Sequence, residues 1–309
     1  MSERPKFVDP FLANLSSSVQ QELEERRRAW GKSRKRFCRR LDRWFSNFED
    51  RDKPLALKIL LAIQYYTKRQ LEERIEQLRA PLDRYLYVTE RTMDHIRLIV
   101  PNERADSADL FAYNATKIWG LRRRQIIRVQ DISEQDKGKI FVFFNDTHGT
   151  GNQFIREHIN IIQKQLQQQV NKQKQKKTKS ENTNPENMTP EFVEPVGLAG
   201  IELFIMSISI AQGALKRFKK EAPHAHLVPD RASPSALDTF TAADFKRIRE
   251  LGTQVYPPHP IGFGDAALLT AYHYQCPNNS LPLIWADGKN NEVGGAAFPW
   301  RPLFRYRPK

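Results

Sequence analysis

The residues best suited to chemistry lie between Ile140 and Gln153, I-F-V-F-F-N-D-T-H-G-T-G-N-Q. A fully apolar run ends in the polar pair Asn145-Asp146. The small-residue loop Gly149-Thr150-Gly151 then opens a stretch with helical periodicity. In an open parallel sheet, ligands gather at the carboxyl ends of strands, beside the N-termini of the helices that follow. Glycines let the backbone approach a phosphate, and unpaired amides with the helix dipole favour its charge. Thr150 adds a hydroxyl donor. A carboxylate at the strand end, Asp146, suits ribose hydroxyls or a divalent metal. His148, if exposed, could donate to a phosphate or act as acid or base. A lone G-T-G is more often an ordinary turn. The strand, polar pair, spacers, Thr-Gly and helix together point to a phosphate cup, which is neither a Walker loop nor G-x-G-x-x-G.

The elements that must hold this loop follow from patterning. After Tyr85, short apolar runs alternate with helical stretches, as in a mainly parallel sheet with crossover helices. Strands are predicted from His95 to Val100, Gln125 to Val129, Ile140 to Phe144 and Ile201 to Ile210, with a short one from His224 to Val228. Helices are predicted from Ala108 to Gly120 (capped by Ser107), from Asn152 through Ile162 and Leu166, from Gln212 to Lys220 and from Ala242 to Leu251. Residues 1–90 read as a basic helical region. From Gln20 to Arg43 charged residues dominate, and the apolar positions Trp30, Phe37, Leu41, Trp44, Phe45 and Phe48 recur mainly at spacings of 3, 4 and 7, which suits an amphipathic helix. A second should follow Asp52-Lys-Pro54, burying Leu57, Leu60, Leu61 and Tyr65, and a third should run from Lys68 to about Ala80, where Pro81 ends it. Residues 91–309 form the α/β domain, interrupted at about 167–195 by a Lys/Gln-rich segment that reads as a mobile insertion.

Charge and composition narrow the partners. Fifty Lys+Arg against 36 Asp+Glu give +14, which favours polyanions such as nucleic acid or phosphorylated metabolites. The most apolar window, Gly200 to Ala214, carries Glu202 and falls short of the roughly 20 residues that span a bilayer. The N-terminal M-S-E-R-P-K lacks the apolar core of a secretory signal, so a cytoplasmic protein without membrane contact is expected. Two cysteines, Cys38 and Cys276, make neither a disulfide framework nor a four-cysteine zinc site. From Arg26 to Arg43 the chain is rich in Lys and Arg and could contact nucleic-acid phosphates, with Trp30 and Phe37 as stacking residues. The same aromatics also fit a stripe packing on the main domain.

The Ile140–Gln153 segment resembles the phosphoribosyl pyrophosphate (PRPP) loop of type I phosphoribosyltransferases. More narrowly, the chain resembles the phosphoribosyltransferase-like domain of bacterial anti-phage conflict systems, including retron loci. R-W-F-S-N-F with L-K-I-L-L-A-I-Q-Y-Y matches that family's helical extension. Gly262 to Trp285 (G-F-G-D-A-A-L-L-T-A-Y-H-Y-Q-C-P-N-N-S-L-P-L-I-W) and Trp300 to Arg305 (W-R-P-L-F-R) match its C-terminus. The resemblance implies a type I phosphoribosyltransferase-like parallel sheet flanked by helices, with an α-helical N-terminal extension and a C-terminal hood at about 256–309. By position, Asp146 would hold the ribose hydroxyls and magnesium carried with PRPP. Thr147, Gly149, Thr150, Gly151, Asn152 and Gln153 would wrap the 5′-phosphate, and Asn145 and His148 would stand beside the reacting centre. Arg104, in the loop after the first strand, would meet a diphosphate. Two departures stand out: Asn145 replaces the first acid, and Gln153 a hydroxyl residue. The first weakens stabilisation of an oxocarbenium-like transition state. The chain is expected to transfer or cleave at ribose C1′. The alternatives are a nucleotide-binding subunit without turnover, or a component docked on nucleic acid or a reverse transcriptase–RNA complex; self-association is left open.

Overall fold

The computed structural model describes residues 7–100, 107–136, 138–162, 202–287 and 300–304. Arg104 and the insertion expected at about 167–195 lie outside them. Along the chain the main elements are α1 (Ser17–Ala29), α2 (Arg34–Phe45), α3 (Lys53–Ala62), β1 (Gln64–Tyr66) and α4 (Lys68–Val88). Then come β2 (Ile96–Val100), α5 (Ser107–Trp119), β3 (Ile126–Arg128), β4 (Ile140–His148) and α6, which begins at Asn152–Phe154. The last are β5 (Glu202–Ile210), α7 (Gln212–Glu221), β6 (His226–Val228), α8 (Ala242–Val255) and β7 (Thr270–Tyr272). Two compact units divide them: Met1–Glu73 with Ser233–Lys309, and Arg74–Ala232.

The Arg74–Ala232 unit is α/β, with a five-stranded parallel sheet in the order β3-β2-β4-β5-β6. Strands β4 and β5 are its centre, in register from Ile140↔Glu202 to His148↔Ile210. They are apolar along most of their length because helices cover both faces. Phe143 and Phe144 are consecutive and therefore point to opposite faces. Phe144 meets Trp119 of α5 with ring centroids 5.6 Å apart, whereas Phe143 meets Phe154 of α6 at 4.9 Å. Phe154 packs in turn on Phe218 of α7 at 5.2 Å. On the α5 face, the Trp119 indole N–H donates to the Ile75 carbonyl of α4 at 3.1 Å.

Two expectations fail here for physical reasons. Pro81 does not end the third helix: α4 runs on to Val88 with Pro81 inside it. Proline removes an N–H and clashes with the preceding turn, but Pro81 and Gln77 are exposed, so water reaches the freed carbonyl. Burial continues on the other side at Leu78, Leu82 and Leu86. The strand at Ile140 does not stop at Phe144 either, because Asn145, Thr147 and His148 still pair with β5. The helix expected from Asn152 begins there, but its turns widen to a π-helix at Ile155–Ile159.

The other unit joins the N-terminal helices to the C-terminal segment through one apolar core, in which Leu41, Trp44, Phe45 and Ile59 pack with Ile248, Leu269, Ile284 and Trp300. Gln64–Tyr66 pairs in parallel with Thr270–Tyr272 as a two-stranded sheet. The amphipathic helix expected to carry the apolar positions from Trp30 to Phe48 is broken after Trp30, the C-cap of α1, and resumes as α2 at Arg34. Gly31, with φ of 62°, closes α1 in a Schellman motif: its N–H bonds the Arg28 carbonyl at 2.9 Å and that of Lys32 bonds the Arg27 carbonyl at 3.1 Å. Trp30 and Phe37 are buried and packed edge-on at 5.5 Å, so neither is available to stack on a base as expected. Tyr65 lies in β1 rather than on the second helix, whose buried apolar positions are Leu55, Ala56, Ile59 and Leu60. Asp52 stands at the cap of α3, yet its carboxylate goes to Arg247, accepting from Nε at 2.9 Å and Nη2 at 2.8 Å.

Across the Gly31 break, Glu24 holds Arg27 at 2.7 Å and Arg34 at 3.5 Å. The hydrogen bond from Arg27, aided by the charges of Arg27 and Arg34, lowers its carboxyl from 4.5 to about 2. A depressed carboxyl stabilises the folded state above its unfolded value and loses that contribution as pH falls toward the folded one. Glu24→Gln is therefore expected to cost about 1 kcal/mol at pH 7, the order of an ion pair with charge-assisted hydrogen bonds. The gap from wild type should close between pH 4.5 and about 2, as read by urea unfolding across that range. A gap independent of pH would contradict it.

Candidate functional site: the loop at the end of the central strand

Chain order makes β4 the edge of a crevice. From β2 the chain crosses to β3 on one side, then returns to β4 on the other and proceeds to β5 and β6. The connections leaving β2 and β4 therefore diverge over opposite faces, and the gap between strand ends at such a switch point is where ligands bind in open α/β sheets. The loop Gly149-Thr150-Gly151 leaves β4 at that position.

The polar pair is braced by its own backbone. Asn145 Oδ1 accepts the Asp146 N–H at 2.8 Å, and Asp146 Oδ1 accepts the Thr147 N–H at 2.6 Å. Asp146 is 5% exposed, and Asn145 and Thr147 on either side of it are half-buried. Beside these two, in register on β5, stand Ser207 and Ser209. Sequence reasoning passed over both. Their signal was the alternation of hydroxyls in I-M-S-I-S-I, polar residues inside an otherwise apolar strand.

His148 is not the exposed imidazole expected of it. It is 4% exposed at the end of β4, its ring edge-on to Phe154 at 5.4 Å and to Phe218 at 5.1 Å. Its carbonyl accepts the Ala211 N–H at 2.8 Å, which ties the loop's start to the turn after β5.

Gly149 and Thr150 are half-buried, and Gly151 is buried in the left-handed region at φ of 71°. Thr150 Oγ1 accepts the Asn152 N–H at 3.2 Å and so caps the first turn of α6. No acceptor among the described residues takes the amides of Gly149, Thr150 or Gly151. Three successive amides at a helix N-terminus form a concavity suited to an anion. Asn152 opens the helix, its side-chain oxygen without a hydrogen bond, and Gln153 follows in its first turn. The structure thus gathers Asn145 to Gln153 at one strand end.

A Cβ on Gly151 would lie 2.9 Å from the Phe218 ring. Gly151→Ala combines that contact with left-handed strain of about 1–2 kcal/mol. It is expected to cost about 2–3 kcal/mol by chemical denaturation, and a loss below 0.5 kcal/mol would show that the loop adapts freely.

Among the described residues no three His, Cys, Asp or Glu side chains form a metal-binding group, and no helix is long and apolar enough to cross a membrane. One protein-family model, PRTase-CE, matches residues 41–305. No curated protein and no solved structure matches the chain.

Proposed function

The chain belongs to the PRTase-CE family, which is phosphoribosyltransferase-like, and from that premise we propose that it binds a ribose 5-phosphate compound, PRPP or a nucleotide, on the loop from Asn145 to Gln153. The observation that carries this is the run of three unengaged amides at Gly149, Thr150 and Gly151, at the switch point and in the loop that follows Asp146. The amides and the Thr150 hydroxyl take the 5′-phosphate; Asp146 takes the ribose hydroxyls. Magnesium is usually held by one or two carboxylates together with substrate phosphates. Asp146 fits that minimum, and the ion would enter with a diphosphate, neutralising its charge as it leaves. The chemistry proposed is transfer to, or cleavage at, ribose C1′, in a cytoplasmic component of an antiviral system.

A second reading is favoured by Asn145. Its side-chain oxygen is turned back on the Asp146 amide and it brings no charge, so the positive charge developing on a sugar would meet a single carboxylate. A subunit that senses PRPP or a nucleotide without consuming it needs no more than that. Calorimetry with PRPP and ribonucleotides, on wild type and Asp146→Ala, tests the common claim: binding by wild type alone supports it, and equal or absent binding in both rejects it. Product analysis with each bound ligand then separates the enzyme from the sensor.

A further inference from the structure

The Met1–Glu73 and Ser233–Lys309 unit carries a cationic surface that the phosphate loop does not use. On α2 the positions Phe37, Cys38, Leu41, Trp44 and Phe45 are buried. Lys35, Arg36, Arg39 and Arg43 fall on the opposite side at helical spacing and are exposed, and among the described residues none of them pairs with a carboxylate. Lys32 lies at the head of this stripe. Burial, then the charges of Arg40 and Arg36, push its ammonium down, as happens where cations crowd together.

The same unit carries a file of aromatic rings on its two-stranded sheet. Trp30, at the turn before α2, packs on the core-facing Tyr65 of β1 at 5.1 Å, and the next residue, Tyr66, points to the opposite face of the strand. Strand β1 pairs with β7, and beyond β7 the His273 N–H donates to the Tyr66 carbonyl at 2.9 Å. There Tyr66 meets Tyr272 at 5.6 Å, and Tyr272 stacks on Tyr274 at 5.5 Å with the rings 5° from parallel. Tyr66 and Tyr274, at the two ends of the file, are half-buried, while Tyr272 between them is buried. His273 is exposed beside Tyr274, its imidazole held down by partial burial and then by Lys68 and Lys32, which places those two ammonium groups near the rings.

Cations alone would suit any polyanion. The rings add a preference, because every base offers a π-face to an aromatic platform and a duplex hides those faces. We infer that this surface binds single-stranded nucleic acid, with phosphates along Lys35, Arg36, Arg39 and Arg43 and bases stacked at Tyr66 and Tyr274. The inference is independent of the ribose-phosphate loop. An acidic peptide or a sulfated polysaccharide would meet the same charges without using the tyrosines.

Fluorescence anisotropy on the full chain tests it, using a labelled 20-nucleotide oligouridylate, a duplex of equal length and heparin, at 50–200 mM salt. The salt slope for single strands is about 0.7 per phosphate neutralised. Joint replacement Lys35→Gln, Arg36→Gln, Arg39→Gln should therefore flatten the slope by about 2. These side chains are exposed, so the variant keeps its fold, with an unchanged melting curve as the control. Tyr274→Leu should weaken oligouridylate about tenfold, the order of one stacked base. It should leave the slope and heparin binding as they were, and Tyr274→Phe should restore affinity. No binding at 50 mM salt, an unchanged slope in the triple variant, a leucine variant equal to wild type, or a duplex bound as tightly as the single strand would each overturn it.

Discussion

Asp146→Asn is expected to lower affinity for PRPP or a nucleotide by about 10–100-fold while the protein stays folded. The amide keeps the shape of the side chain and an oxygen for the Thr147 N–H, so the bracing of the strand end survives. What disappears is the charge. Hydrogen bonds to charged groups contribute about 1.5–3 kcal/mol, and each 1.4 kcal/mol is tenfold in a dissociation constant. Asp146 is 5% exposed, so little solvent screens the loss. Calorimetry gives the affinity, and a melting curve within a few degrees of wild type shows that the change belongs to the ligand. Unchanged affinity would move the ribose elsewhere. Asn145→Asp is the complementary experiment: turnover that emerges only in this variant would identify the natural chain as the sensor.

The sequence signals differed in kind from one element to the next. Five parallel strands were legible because runs such as I-F-V-F-F have one stable setting, a sheet covered on both faces. The same uniformity hid the faces: with no alternation in Ile140–Phe144, nothing showed that Asp146 would lie buried or that His148 would turn between Phe154 and Phe218. The break at Gly31 was legible but outweighed by periodicity. A glycine after the last apolar position, with Ser33 two residues on, is a stop and a start in succession. Pro81 misled in the opposite sense, since its penalty of about 3 kcal/mol is offset by a buried stripe that continues through Leu82 and Leu86. Strands β1 and β7 left no trace, because each has three residues and Gln64 pairs with Thr270 across most of the chain. Pairing at such distance depends on the core around it and not on local pattern.

That core is where the largest stability effect is expected. Trp44 is fully buried, edge-on to Phe45 at 5.2 Å and Phe48 at 5.0 Å, and its indole N–H donates to the Leu283 carbonyl at 2.7 Å. Trp300 donates to the same carbonyl at 3.1 Å, so one backbone oxygen joins an N-terminal helix to two C-terminal segments. Removing the Trp44 ring leaves a cavity that the neighbouring aromatics cannot fill, and Trp44→Ala should cost about 3–5 kcal/mol. Against a total of about 5–15 kcal/mol for a domain, that approaches unfolding of the unit. Trp44→Phe separates volume from hydrogen bonding: it keeps a ring and loses the N–H, while Leu283 retains Trp300, so about 1 kcal/mol is expected. Urea unfolding followed by circular dichroism measures both. If the two termini share one core, Trp44→Ala should also shift the fluorescence of Trp300 and Trp285 toward that of solvated indole at lower urea. A C-terminal segment that kept its native emission while the N-terminal helices melted would mean that the two are held independently.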